Sequence, residues 1–197
     1  MNYSIYAEST PNPEVMKFVA NRMLADKSIE ISNLKEAKGI SIAEELLKFP
    51  FVKSLYLSSN FISVTKTEAI NWEDIAMQLR VFILDHLNSN NIKNYTKNIH
   101  KKSLEENNST DNRTNRIKKF NAIEKKIEAI LNEYIAPAVE ADGGAITLNY
   151  YKDNIVCVDL KGACSGCPSS TSTLKGGIEA LLRQKIDPHI QVVANEK

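Results

Sequence analysis

Two of the three cysteines in this chain, Cys164 and Cys167, lie two residues apart within the stretch 161–170, which reads KGACSGCPSS. The β-branched run at 155–160 before it predicts a strand, and apolar residues at helical spacing over 169–185 predict a helix after it. Both thiols are then expected in a strand-to-helix turn, where free backbone N–H groups and the helix dipole favour thiolate over thiol. We expect an exposed, glycine-lined turn suited to a soft metal or to redox exchange.

The composition is typical of a soluble globular protein, with 197 residues, 43% hydrophobic and 25% charged, and a net charge of +1. Such a balance gives no sign of a nucleic acid or a membrane as partner, and no apolar run is long enough to cross a bilayer. Three cysteines are too few for a disulfide framework, and the CxxC pair indicates a reducing compartment. The N-terminal sequence resembles neither a secretory signal nor a transit peptide, so we expect a cytoplasmic protein.

The sequence predicts two small domains of α+β or α/β class, each a small sheet packed by helices, joined by a flexible linker. Residues 1–87 form the first domain. The linker, 88–115, is rich in Asn, Ser, Lys and Glu, and it cannot bury enough apolar surface to offset the entropy of ordering. Residues 116–197 form the second domain, which carries the CxxC pair.

Hydrophobic periodicity and turn residues predict the elements of each domain. In the first domain we expect strands at 3–8, 29–31, 52–57 and 61–65. We expect three helices there: one that begins at Pro13, one over 41–48 and one over 71–87. In the second domain we expect a helix over 116–139 with Pro137 disturbing its last turn, a hairpin of two strands, the cysteine turn, a helix and a last strand at 190–194.

Four kinds of site could use the CxxC pair. Inert structural cysteines are one, but the flanking glycines leave little apolar packing to bury them. A closed zinc site is another, and it needs four ligands. The remaining candidates in this chain form no second pair; they are Cys157, His86, His100 and His189. Strand alternation also places Cys157 on the face opposite Val156 and Val158, with no near partner.

Thiol–disulfide exchange is the third possibility, because such sites also lie between a strand and a helix. They usually carry an aromatic residue before the first cysteine and often a proline between the two. Here Ala163 precedes the pair, and Ser165 and Gly166 separate it.

An iron–sulfur cluster is the fourth possibility. Such a cluster takes four thiolates, and its sulfides accept hydrogen bonds from the backbone N–H groups that glycines expose. One CxxC pair supplies two thiolates, so two chains related by a twofold axis would supply all four. A cluster held this way predicts a dimer with the cluster at its interface.

Residues 120–194 closely resemble the NifU-like C-terminal domain of the Nfu type of iron–sulfur scaffold and carrier proteins. Three motifs carry the resemblance: EADGG at 140–144, LKGACSGCPSS at 160–170 and TLKGGIEALL at 173–182. The first domain is similar to the N-terminal domain of Nfu proteins through TPNP at 10–13 with Lys17 and Phe18, and through FISVTK at 61–66.

The resemblance implies that Cys164 and Cys167 of two subunits hold one shared [4Fe–4S] cluster, which is handed to apo-proteins. It implies a carrier and not an enzyme, without catalytic residues, which is a homodimer when loaded. Its partners would be recipient apo-proteins and upstream cluster-assembly proteins. The resemblance assigns no ligand to the first domain, and Cys157 is not part of its pattern. A small thiol–disulfide oxidoreductase that uses the same CxxC pair is the alternative function.

Overall fold

A computed structural model describes residues 2–89, 121–165 and 168–195. The chain divides into two compact units, Met1–Arg116 and Ile117–Lys197. Each unit is a small sheet packed by helices, which confirms the predicted mixed α and β architecture. The predicted linker, 88–115, lies outside the described residues except for its first two positions, which end a helix. The predicted domain boundaries therefore stay predictions.

The first unit is built on a five-stranded antiparallel sheet in the order β1-β2-β5-β4-β3. Its strands are β1 (Ile5–Ser9), β2 (Val15–Ala20), β3 (Ala25–Ile31), β4 (Val52–Ser59) and β5 (Phe61–Lys66). Its helices are α1 (Leu34–Ala37), α2 (Ser41–Leu46) and α3 (Trp72–Ser89). Buried residues of α3 share one hydrophobic core with Phe18 and Ile62 of the sheet. The predicted hairpin is the β4–β5 pair, and the predicted helices at 41–48 and 71–87 are α2 and α3.

The helix predicted to begin at Pro13 is wrong, because this segment forms strand β2. Phe18 pairs with Ala7 of β1 on one side and with Ile62 of β5 on the other, so β2 is a central strand. Both of its faces are largely buried, and a strand buried on both faces loses the alternating pattern that would distinguish it from a helix. Asn12 forms a turn here, since its backbone carbonyl accepts from the Val15 N–H at 2.9 Å.

The second unit follows the predicted order of elements. It contains α4 (Ala122–Ile130), a π-helical turn (Leu131–Ile135), α5 (Ala136–Ala141), β6 (Gly144–Lys152), β7 (Ile155–Gly162), α6 (Pro168–Lys185) and β8 (Gln191–Ala194). Strands β6 and β7 form an antiparallel hairpin whose turn residues Asp153 and Asn154 have φ values of 50° and 62°. β8 runs parallel to β7, so β7, α6 and β8 make a β–α–β unit.

The long first helix of this unit shows the predicted disturbance near Pro137 and ends two residues later than predicted, at Ala141. Its described part begins after Asn121, whose side chain caps the backbone of Ile123 and Glu124 while the Glu124 carboxylate accepts from the Asn121 N–H at 2.8 Å. Pro137 does not end the helix, which continues to Ala141. Instead the preceding turn widens to π geometry, because a proline ring displaces the carbonyl four residues before it.

One hydrophobic core joins the sheet and helices of the second unit. Its fully buried residues are Ile127, Val156, Val158, Ile178, Leu182 and Ile190, and Cys164 belongs to the same cluster. In the part of the chain that the structure describes, no helix is long and apolar enough to cross a membrane.

Candidate functional site

The cysteine turn follows β7, as the sequence predicts. β7 ends at Gly162, whose φ of 62° lies in the left-handed region that favours glycine, and α6 begins at Pro168. Cys164 therefore lies between a strand and a helix. Gly166 and Cys167 lie outside the described residues, so the position of the second predicted ligand stays a prediction.

One hydrogen bond joins the described half of this turn to the turn that precedes β6, and two more close the cysteine turn itself. The Ala163 N–H donates to the Gly143 carbonyl at 3.2 Å. The N–H and the hydroxyl of Ser165 both donate to the Gly162 carbonyl, at 3.1 and 2.9 Å. The antiparallel register pairs Gly144 with Gly162, which brings residues nearly twenty positions apart to one end of the hairpin. The turn at 142–144 and the cysteine turn are therefore one structural unit.

The backbone of Gly144 lies unusually close to Cys164. A Cβ atom added at Gly144 would lie 2.8 Å from the Cys164 Sγ and 2.6 Å from the Lys161 carbonyl oxygen. Both distances are shorter than real Cβ contacts allow, so only glycine fits at this position without a shift of the turn.

Cys164 is buried, which contradicts the expectation of an exposed turn that favours thiolate. Its side chain is 8% exposed and packs in the core of the second unit. Burial, with a smaller contribution from the negative charge of Asp142, raises the pKa of the Cys164 thiol from 9.0 to about 11. The sulfur is therefore a protonated thiol at neutral pH in this state, and binding a metal there must release its proton.

Cys157 lies on the other face of the sheet, as strand alternation predicts. Val156 and Val158 point into the core of the second unit, whereas Cys157 is 4% exposed and lies outside that core. The expectation that it has no near partner is wrong, because Tyr150 pairs with it across the hairpin. Coulomb repulsion from Cys157 is the main cause that raises the pKa of Tyr150. Cys157 therefore does not share a face with Cys164.

The described histidines lie in other surroundings. The His86 ring nitrogen Nε2 lies 3.1 Å from the Ser41 hydroxyl in the first unit, and burial lowers its pKa. The His189 N–H donates to the Asp187 carboxylate. His100 lies outside the described residues. Within residues 2–89, 121–165 and 168–195, no three His, Cys, Asp or Glu side chains come together in a group that could hold a metal ion.

Two family models match this chain, and together they span both units. The model for the scaffold protein Nfu/NifU N-terminal domain matches residues 5–90, and the NifU-like domain model matches residues 127–193, which include both cysteines of the pair. This chain is a NifU-like protein of the Nfu type.

Curated relatives of this Nfu-type chain align with it across both units. It is 29% identical over 196 residues to the protein named NFU1 iron-sulfur cluster scaffold homolog, mitochondrial, of Drosophila ananassae, covering 98% of this chain and 64% of that protein. The human protein of the same name is 29% identical over 183 residues, covering 91% of this chain and 66% of that protein. The chain thus spans slightly less than two thirds of these relatives. A solution structure of a NifU-like protein from Saccharomyces cerevisiae is 26% identical, with a TM-score of 0.41, covering 45% of this chain and 82% of that one.

In this NifU-like domain, the surroundings of Cys164 are what sequence reasoning missed. Asp142 and Gly144 lie in a turn distant in sequence, and they contribute a charge and a close backbone contact to the thiol. One signal for this contact was present in the sequence. Two adjacent glycines, at 143 and 144, begin a strand, and the strand that pairs with it ends at a third glycine, Gly162.

Proposed function

We propose that this Nfu-type chain is an iron–sulfur cluster carrier, with the cluster as its cargo. The observation that carries the proposal is the position of Cys164, the first cysteine of the CxxC pair, at the end of a sheet among the glycine backbones of two turns. Thiolate is the donor that iron–sulfur clusters take. The printed names of the relatives, which call them iron-sulfur cluster scaffold homologs, support the same function.

The number of ligands leads to a bridged dimer. Cys164 and Cys167 would provide two of the four thiolates that a cluster requires, and a second copy of the chain would provide the other two. Cys157 faces away from Cys164, toward Tyr150, so it is not counted as a ligand. The [4Fe–4S] nuclearity follows from the resemblance to the Nfu type. We further propose that apo protein is monomeric and that loaded protein is dimeric.

Transfer would need no turnover chemistry, so the protein would not be an enzyme. Cys164 must lose its proton as iron binds and regain it as a recipient protein takes the cluster over by thiolate exchange, because burial favours the neutral thiol. This preference of the empty site for a protonated sulfur assists release. Recipient apo-proteins and upstream cluster-assembly proteins are the proposed partners. The cytoplasmic location stays a prediction, while the relatives named above are called mitochondrial.

The alternative, a thiol–disulfide oxidoreductase, agrees less well with the geometry of Cys164. The attacking thiol of such an enzyme is accessible and has a lowered pKa, since the thiolate is the nucleophile. Cys164 is the first cysteine of the pair, yet it is buried and its pKa is raised to about 11.

Anaerobic reconstitution with iron and sulfide tests the proposal. We expect the full-length chain to gain the visible absorption of an iron–sulfur cluster, to bind four irons per two chains if the cluster is [4Fe–4S], and to sediment as a dimer. Cys167→Ser should remain colourless and monomeric, and Cys157→Ser, the matched control, should behave as the wild type. A colourless wild type that reduces insulin disulfides would favour the oxidoreductase instead. A loaded chain that sediments as a monomer would refute the bridged dimer.

A further inference from the structure

We propose that Gly144 is a positioning residue for Cys164, because its missing side chain leaves the space in which the Cys164 sulfur is held. The inference rests on the proposed role of Cys164 as a cluster ligand. A Cβ at position 144 would meet three atoms: the Cys164 Sγ at 2.8 Å, the Cys164 backbone nitrogen at 3.1 Å and the Lys161 carbonyl oxygen at 2.6 Å. All three atoms lie where a side chain at position 144 would project.

Space, and not backbone conformation, is what requires glycine at position 144. Positive φ values occur at the neighbouring Gly143, at 82°, and at Gly162, at 62°, but Gly144 is not among the residues with positive φ. Gly143 therefore reverses the chain direction, and its carbonyl accepts from the Ala163 N–H. Gly144 then begins β6 opposite Gly162 and provides the surface against which the sulfur packs. The two adjacent glycines have separate tasks.

This contact determines where the thiol lies before any metal binds. To reach an ordinary van der Waals separation of 3.4 Å from a Cβ at position 144, the sulfur and the Lys161 carbonyl would each have to move by more than about half an ångström. The sulfur is at the free end of a short side chain, so a shift of the turn changes both its burial and its direction. A ligand displaced in this way no longer has the geometry in which it would meet a shared cluster.

The full-length variant Gly144→Ala tests the proposal, with Gly177→Ala as the matched control. Gly177 lies in α6, and a Cβ there would meet nothing within 4 Å. The first readout is the rate at which iodoacetamide alkylates Cys164 in the apo chain, followed by peptide mass spectrometry. We expect Gly144→Ala to raise this rate roughly tenfold, because thiol reactivity follows exposure, and Gly177→Ala to leave it unchanged.

The second readout is the reconstituted cluster. We expect Gly144→Ala to bind less than about half the iron of the wild type and to show altered visible and electron paramagnetic resonance spectra, since a displaced ligand changes the metal environment. A merely structural glycine would lower the stability of the chain without altering the spectrum of the cluster that is bound. The alkylation readout needs no cluster, so a wild type that binds no iron would refute the proposed function without deciding the contact with Gly144.

Two further measurements decide the case in which Gly144→Ala does not fold. The double variant Gly144→Ala/Cys164→Ala removes the sulfur, and we expect it to recover part of the lost stability. Native wild-type apo chain should also protect Cys164 from alkylation relative to the chain in urea. The proposal is overturned if Cys164 reacts as fast in the native chain as in urea. It is equally overturned if a folded Gly144→Ala matches the wild type in alkylation rate and in cluster spectrum.

Discussion

Replacement of Cys164 by serine is expected to destabilise the second unit, although the change exchanges only sulfur for oxygen. The side chain is 8% exposed and lies in the hydrophobic core. A hydroxyl buried there without a hydrogen-bond partner costs about 1–3 kcal/mol. Cys164→Ala leaves a void of about one atom next to Gly144, and loss of a group of that size costs about 1 kcal/mol. Serine should therefore be the more harmful of the two substitutions.

Native-state hydrogen exchange of the apo chain measures this difference directly. The amides of β6 and β7 form the hairpin that ends at the cysteine turn, so their exchange reports opening of the second unit. Because each 1.4 kcal/mol is a factor of ten, the serine variant should exchange roughly five to one hundred and fifty times faster than the wild type. The alanine variant should exchange about five times faster. Amides of β2 and β5 in the first unit serve as the internal control and should keep their wild-type rates.

Two results would refute this reasoning. If the serine variant exchanges as slowly as the wild type, the sulfur does not lie in the core in solution. If alanine is more harmful than serine, the hydroxyl finds a partner and the apolar environment inferred for Cys164 is incorrect. Either result would restore the expectation from the sequence that little core packing depends on this thiol.

Four further predictions concern single residues of the second unit. Tyr150→Ala should expose Cys157 to iodoacetamide without loss of reconstituted iron, because Tyr150 and Cys157 face away from Cys164. A parallel loss of iron would make Cys157 a ligand. The alkylation rate of Cys164 in the apo chain should rise about tenfold per pH unit from pH 7 to 10, since its pKa is raised to about 11. The folded state binds this proton more tightly than the unfolded state, so stability should be fully present below pH 9 and fall as the pH rises toward 11, as urea titrations would show. Asn121→Ala removes the capping box with Glu124 and should cost about 1 kcal/mol, read as faster amide exchange in the first turn of α4.

Local patterns in the sequence were sufficient for most of the second unit. The alternation in β7 and the stripe of α6 are short-range signals, and both elements form where their patterns predict them. The place of Cys164 between a strand and a helix follows from these signals alone. The same holds for the face of Cys157, because side-chain alternation is a property of a single strand.

The tertiary structure decided what depends on residues distant in the chain. Segment 15–20 is a strand because it pairs on both sides and is buried on both faces, and neither fact is visible in its own residues. Cys164 is a buried, protonated thiol because the hairpin register places Gly144 and Asp142 beside it. The sequence alone determined which cysteines are candidate cluster ligands. The burial and the raised pKa of Cys164 arise because residues about twenty positions earlier in the chain exclude solvent from its sulfur. Only the folded chain creates these contacts.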